Sequence, residues 1–107
     1  MKWNVLMTDT AKSDLREIAL YIYDRSGDAE TAASFVIALQ EQCLVLEFFP
    51  ERGAIPKDYV LKALGYRYLV YQHYLIFYMI DANERSVSIH AFFNEKADYF
   101  RYMRKRV

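Results

Sequence analysis

The chain has 107 residues, room for one domain around a single modest core. Apolar residues make up 54% and charged residues 26%, which excludes a chain too polar to fold, and no run reaches the roughly 18 apolar residues of a membrane-spanning helix. Charge is balanced overall but uneven: residues 1–56 carry five Lys/Arg against nine Asp/Glu, net −4, and residues 57–107 carry nine against five, net +4. The basic second half suits phosphate or an acidic partner.

With only three Gly and two Pro the chain shows no linker, repeat or low-complexity tract, so residues 1–107 read as one domain. Cys43 stands alone, which excludes an intramolecular disulfide and a cysteine zinc cluster. His73 and His90 are not at metal-ligand spacing, and no metal or cofactor is expected. The N-terminal segment lacks a signal-peptide pattern, which predicts a cytoplasmic protein with no membrane association.

Residues 2–7 alternate and predict a short strand. Thr8, Asp9 and Thr10 are helix-start residues, and Ala11, Leu15, Ile18 and Ile22 recur at spacings of four, three and four, one apolar stripe on a helix to about Arg25. Gly27 suits the left-handed cap position and Asp28 starts a second helix. Its stripe is Ala29, Ala32, Val36, Leu39, Cys43 and Leu46, and Phe49-Pro50 stops it. So short a link makes the two helices an antiparallel hairpin. Residues 50–53 read as a turn and the stretch to Leu64 as irregular or a partial strand. Tyr66–Gln72, Tyr74–Ile80 and Ser86–Phe93 read as strands, with Val87, Ile89, Ala91 and Phe93 on one face of the last and Ser88, His90 and Asn94 on the other. Residues 95–106 read as a short basic helix or tail. Helices followed by a run of strands predict an α+β fold, the hairpin packed on one face of an antiparallel sheet and the other face free for function.

In this order the segments resemble a known family. Strand and hairpin from Thr8-Asp9-Thr10-Ala11, the turn Phe49-Pro50-Glu51-Arg52-Gly53, the strand pair Leu64–Val70 and Tyr74–Tyr78, and the closing segment Phe92–Tyr99 together look like the RelE/ParE toxins of bacterial type II toxin–antitoxin pairs. The resemblance implies a growth-arresting toxin held inactive by a cognate antitoxin. It implies one of two targets: DNA gyrase, poisoned by the ParE kind, or the ribosome with its mRNA, cut without a metal by the RelE kind. A member that binds an antitoxin without being toxic is a further reading, and fold alone does not choose among them.

Metal-free RNA cleavage needs a base, cations for the charged phosphorane and an acid for the leaving oxygen. The resemblance places Lys96 where nuclease relatives carry a key cation, Tyr102 at a tyrosine they use, and Arg67 and Lys62 among their additional basic residues. It also places Leu75 where the RelE kind carries its catalytic arginine. Lys96, Tyr102 and Arg67 are therefore the candidate catalytic set, and Lys62, His90, Tyr99, Arg101 and Arg104 the candidate target-binding set. Each has a plainer reading: Arg67 as a surface cation whose stem covers apolar area, Lys96 as a helix-start charge, His90 as a surface histidine. Cys43 reads as a small apolar core residue and His73 as an exposed turn residue. The hairpin is the expected antitoxin surface, and its acidic bias asks for basic groups on the antitoxin.

Overall fold

The computed structural model describes residues 2–106. Strand β1 spans Asn4–Met7, α1 Asp9–Ser26, α2 Ala29–Leu44, α3 Tyr59–Ala63, β2 Tyr66–Tyr71, β3 Tyr74–Asp81, β4 Ser86–Asn94 and α4 Tyr99–Arg106. Helix starts follow local chemistry. The Thr8 side chain accepts from the Ala11 N–H and Asp28 from the Glu30 N–H. Gly27 ends α1 at φ 68°, a left-handed conformation that glycine adopts without a Cβ penalty.

The sheet order is β1-β4-β3-β2. β2, β3 and β4 form the expected antiparallel meander, whereas β1 joins β4 in parallel, so the four-stranded sheet is mixed. The hairpin return from α1 through α2 brings the chain back before β2, which leaves β1 to pair with the last strand. Gln72, at φ 55°, makes the β2–β3 turn, and Arg85, at φ 51°, ends the β3–β4 turn.

The α1–α2 hairpin covers one sheet face. Ala11, Leu15 and Ile18 of α1 and Leu39 and Cys43 of α2 pack on Leu69, Ile76, Tyr78, Val87, Ile89 and Phe92. Cys43 is 2% exposed, and burial pushes its thiol up to about 12. The second face differs from expectation, because it is covered in part. Leu61 of α3 and Met103 of α4 close over Tyr66, Leu75, Phe77 and Ala91, and both are fully buried. The segment before β2 therefore contains a helix, together with a bridge from Ala54 to Tyr68, and the C-terminal segment is docked on the sheet.

Strand β4 also departs from simple alternation. Tyr78 pairs with Ile89 and Phe77 with Ala91, so His90 is the extra residue of a bulge. Val87 and Ile89 face the hairpin, but Ala91 belongs to the core under α3 and α4 and Phe93 packs against it, while Phe92 returns to the hairpin side. Among the described residues no helix is long and apolar enough to cross a membrane.

Candidate functional site

A groove of about 830 Å³ runs between α1 and the β4–α4 connection. Its walls include Glu17 and Tyr21 from α1, Phe93 from the end of β4, Glu95 and Lys96 from the β4–α4 connection, and Tyr102 from α4. The Lys96 backbone N–H donates to the Asn94 side chain at 2.9 Å, which fixes the turn carrying its ammonium. The Tyr102 ring is half exposed and stacks on Phe93 at 5.8 Å. Two of the three candidate catalytic residues therefore share one groove.

The floor of the groove is an ion pair that sequence reasoning missed. Arg106 Nη1 and Nη2 donate to Asp14 Oδ2 and Oδ1, both at 2.9 Å. Asp14 also accepts from the Phe92 N–H at 3.0 Å, and Arg106 donates to the His90 carbonyl at 3.2 Å while lying 5.0 Å over the Phe93 ring. Asp14 holds the guanidinium protonated, raising Arg106 above its ordinary value. A signal was present in the sequence: Asp14 sits between Ala11 and Leu15 on the buried stripe, and a carboxylate there demands a partner. Glu17 and Tyr21, one turn apart on α1, carry no such mark, because nothing local says what stands across from them.

Arg67 lies elsewhere. It pairs with Tyr78 on β3, and its Nη1 donates to the carbonyls of Glu51 at 3.2 Å and Gly53 at 3.0 Å. The Tyr78 hydroxyl donates to the Pro50 carbonyl at 2.7 Å and accepts from the Gly53 N–H at 2.8 Å. Together the two side chains fasten the turn before α3, and Arg67 does not join Lys96 and Tyr102.

The other candidates divide between two surfaces. His90 lies beneath Arg106 with its Nδ1 3.3 Å from Tyr66 Oη, and burial, then Arg106, lowers its pKa. It is therefore a half-buried residue rather than the surface histidine of the plainer reading. Tyr99 lays its ring 5.3 Å from Phe77, in the core, and burial raises its phenol. Arg101 and Arg104 lie on the α3 side of α4 in a shallow depression shared with Asp58 and Asp98. Arg104 pairs with Asp58 at 3.1 Å, and Asp58 also caps α3 through the Leu61 N–H. That N–H, with Arg104 behind it, holds the Asp58 carboxyl below its ordinary range. Lys62 is exposed on α3. His73 is exposed as expected, and its Nδ1 meets Glu95 at 3.0 Å. Among the described residues no cluster of His, Cys, Asp and Glu could hold a metal ion.

No curated protein matches the sequence. Among solved structures the chain is similar to one of the chromosomal ParDE toxin–antitoxin system from P. aeruginosa, with a TM-score of 0.72 and 20% identity over 87% of this chain and 96% of that one. It is also similar to one of the RelBE2 toxin–antitoxin complex from Mycobacterium tuberculosis, with a TM-score of 0.65 and 22% identity over 88% and 92%. Both likenesses establish the RelE/ParE fold. The sequence model of the family described as the ParE toxin of the type II toxin–antitoxin system parDE matches residues 5–99, nearly the whole chain, so this protein belongs to the ParE toxin family.

Proposed function

We propose that the protein arrests growth by gripping DNA gyrase rather than by cutting RNA, and that a cognate antitoxin restrains it. The observation that carries this reading is the charge state of the groove. Arg106 is bound by Asp14, Leu75 is buried in the core beneath α4, and Arg67 is fastened to the residue 51–53 turn. Lys96 is then left in a groove whose walls also hold Glu17 and Glu95. A phosphorane needs cations aimed at its oxygens, and carboxylates beside it raise the barrier. The family match to ParE toxins supports the same target class, and the toxin–antitoxin neighbours support an antitoxin partner.

A second reading keeps one specific observation in its favour. Lys96 and Tyr102 share the groove, and Tyr102 offers a half-exposed ring against which a base stacks. On that reading the protein is a ribosome-dependent mRNA endonuclease. Primer extension on a reporter mRNA in a purified translation system separates the two. Intact mRNA is the expected result. Ribosome-dependent cuts that vanish in Lys96→Ala and weaken in Tyr102→Phe would establish the nuclease instead.

A further inference from the structure

The two sheet faces carry covers of opposite charge. The hairpin, residues 9–44, holds seven Asp/Glu against three Lys/Arg and packs on one face. The cover of the other face is basic: residues 57–64 and 98–106, which include α3 and α4, hold six Lys/Arg against two Asp/Glu. Leu61 of α3 and Met103 of α4 are buried in one cluster, and Arg104 bonds Asp58 at 3.1 Å, tying the two helices together. The chain is therefore neutral in sum and dipolar in space, and a polyanion is steered toward the α3–α4 side.

Two of the six cations are already satisfied, Arg106 by Asp14 and Arg104 by Asp58. Among the described residues no ion pair engages Lys57, Lys62, Arg101 or Lys105, and all four are exposed. The carboxylate left beside them is Asp98, which accepts the Arg101 N–H at 3.3 Å at the start of α4. Helix geometry aims the central pair. Met103 is fully buried, and Arg101 and Lys105, each two positions from it, fall on the opposite side of α4, one turn apart. Like charges at that spacing repel, and a bound polyanion relieves the repulsion.

We propose that the α3–α4 face binds the phosphate backbone of duplex DNA without sequence preference, with Arg101 and Lys105 at its centre and Lys57 and Lys62 extending it. The inference rests on the gyrase reading above, because that target holds duplex DNA. It adds a second contact: the toxin grips the enzyme and the nucleic acid on it together, with the acidic hairpin turned away from the phosphates.

The test is fluorescence anisotropy of a labelled random-sequence DNA duplex titrated with the full-length toxin, in the absence of gyrase and across a range of salt. The same sequence as single-stranded RNA is run alongside. Wild type is compared with Arg101→Gln/Lys105→Gln and with Lys12→Gln/Arg16→Gln. The second pair is exposed on α1 at the same four-residue spacing and removes the same charge from the opposite side of the molecule. Each variant is checked for an unchanged thermal transition, and Lys62→Gln on α3 tests the face without altering α4. Wild type is expected to bind the duplex with a Kd on the order of micromolar at low salt and to lose affinity steeply as salt rises. Arg101→Gln/Lys105→Gln is expected to weaken binding roughly tenfold and to flatten the log–log salt slope by about two, Lys62→Gln to flatten it by about one, and Lys12→Gln/Arg16→Gln to change affinity by under about twofold.

No duplex binding by wild type, or equal losses for the two double variants, overturns the DNA face while leaving the gyrase target standing. Tighter binding to the RNA, lost in Arg101→Gln/Lys105→Gln, assigns the face to RNA and also overturns the proposal. Duplex binding through this face by a toxin that yields no linear DNA with gyrase supports the face and overturns the gyrase reading instead.

Discussion

Arg106, in the last turn of α4, closes a two-point contact on Asp14, a residue of α1 that precedes it by 92 positions. That contact ties the C-terminal helix to the hairpin across the open end of β4. It sets the floor of the groove and pairs the Arg106 guanidinium with a carboxylate.

Loss of this pair should loosen α4 more than the rest of the fold. Arg106→Ala leaves the Asp14 carboxylate, on a side chain 10% exposed, with only the Phe92 N–H, and it is expected to lower stability by about 2–4 kcal/mol, at the low side of buried-pair losses because the Arg106 side chain is 23% exposed. Amide exchange in Tyr99–Arg106 should accelerate far more than in α1. Uniform acceleration throughout the chain would contradict a local role.

Gly53 and Tyr78 make a second test of packing. A Cβ on Gly53 would lie 2.5 Å from the Tyr78 hydroxyl and 2.8 Å from the Tyr68 carbonyl, so Gly53→Ala is expected to destabilise by about 1–3 kcal/mol. Tyr78→Phe leaves the buried Gly53 N–H without its acceptor and should lose about 1–3 kcal/mol. Urea denaturation of both variants measures this.

Arg67 separates scaffold from target contact. With its guanidinium on the Glu51 and Gly53 carbonyls, Arg67→Ala should lower the thermal midpoint by a few degrees, corresponding to about 1 kcal/mol. Growth arrest per folded molecule should remain. A variant of unchanged stability that no longer arrests growth would return Arg67 to the functional set.

Acid sensitivity should carry a mark from His90. Its folded pKa is lowered, chiefly by burial and then by Arg106, so the unfolded chain binds the proton more readily. The sign follows: the contribution of the neutral imidazole is complete above about 6.5 and is lost as pH falls from there toward the lower folded pKa. Thermal midpoints between pH 7.5 and 5 should fall less for His90→Asn than for wild type. Parallel curves would show that His90 contributes nothing to the acid limb.

The sequence made the local features legible and left the distant ones hidden. The stripe Ala11, Leu15, Ile18, the cap at Thr8 and the left-handed Gly27 are decided within a few residues, and the hairpin lies where they put it. The meander was readable for the same reason. The parallel seating of β1 beside β4, the bulge at His90 and the cover of α3 and α4 over the second face depend on contacts between segments far apart in the chain. The candidate site divided along the same line. Lys96 on the β4–α4 connection and Tyr102 on α4, six positions apart in the chain, came together, whereas Arg67 is held at the Tyr78 register and His90 turned inward.

The most direct measurement of the central claim is a gyrase reaction on supercoiled plasmid with ATP and purified toxin, stopped with detergent and protease. Linear DNA is expected to accumulate with toxin dose, the antitoxin to prevent it, and Lys96→Ala to retain part of the effect, since binding spreads over a surface. No linear DNA at any dose, together with ribosome-dependent mRNA cuts abolished by Lys96→Ala, would contradict it and make the groove a nuclease site.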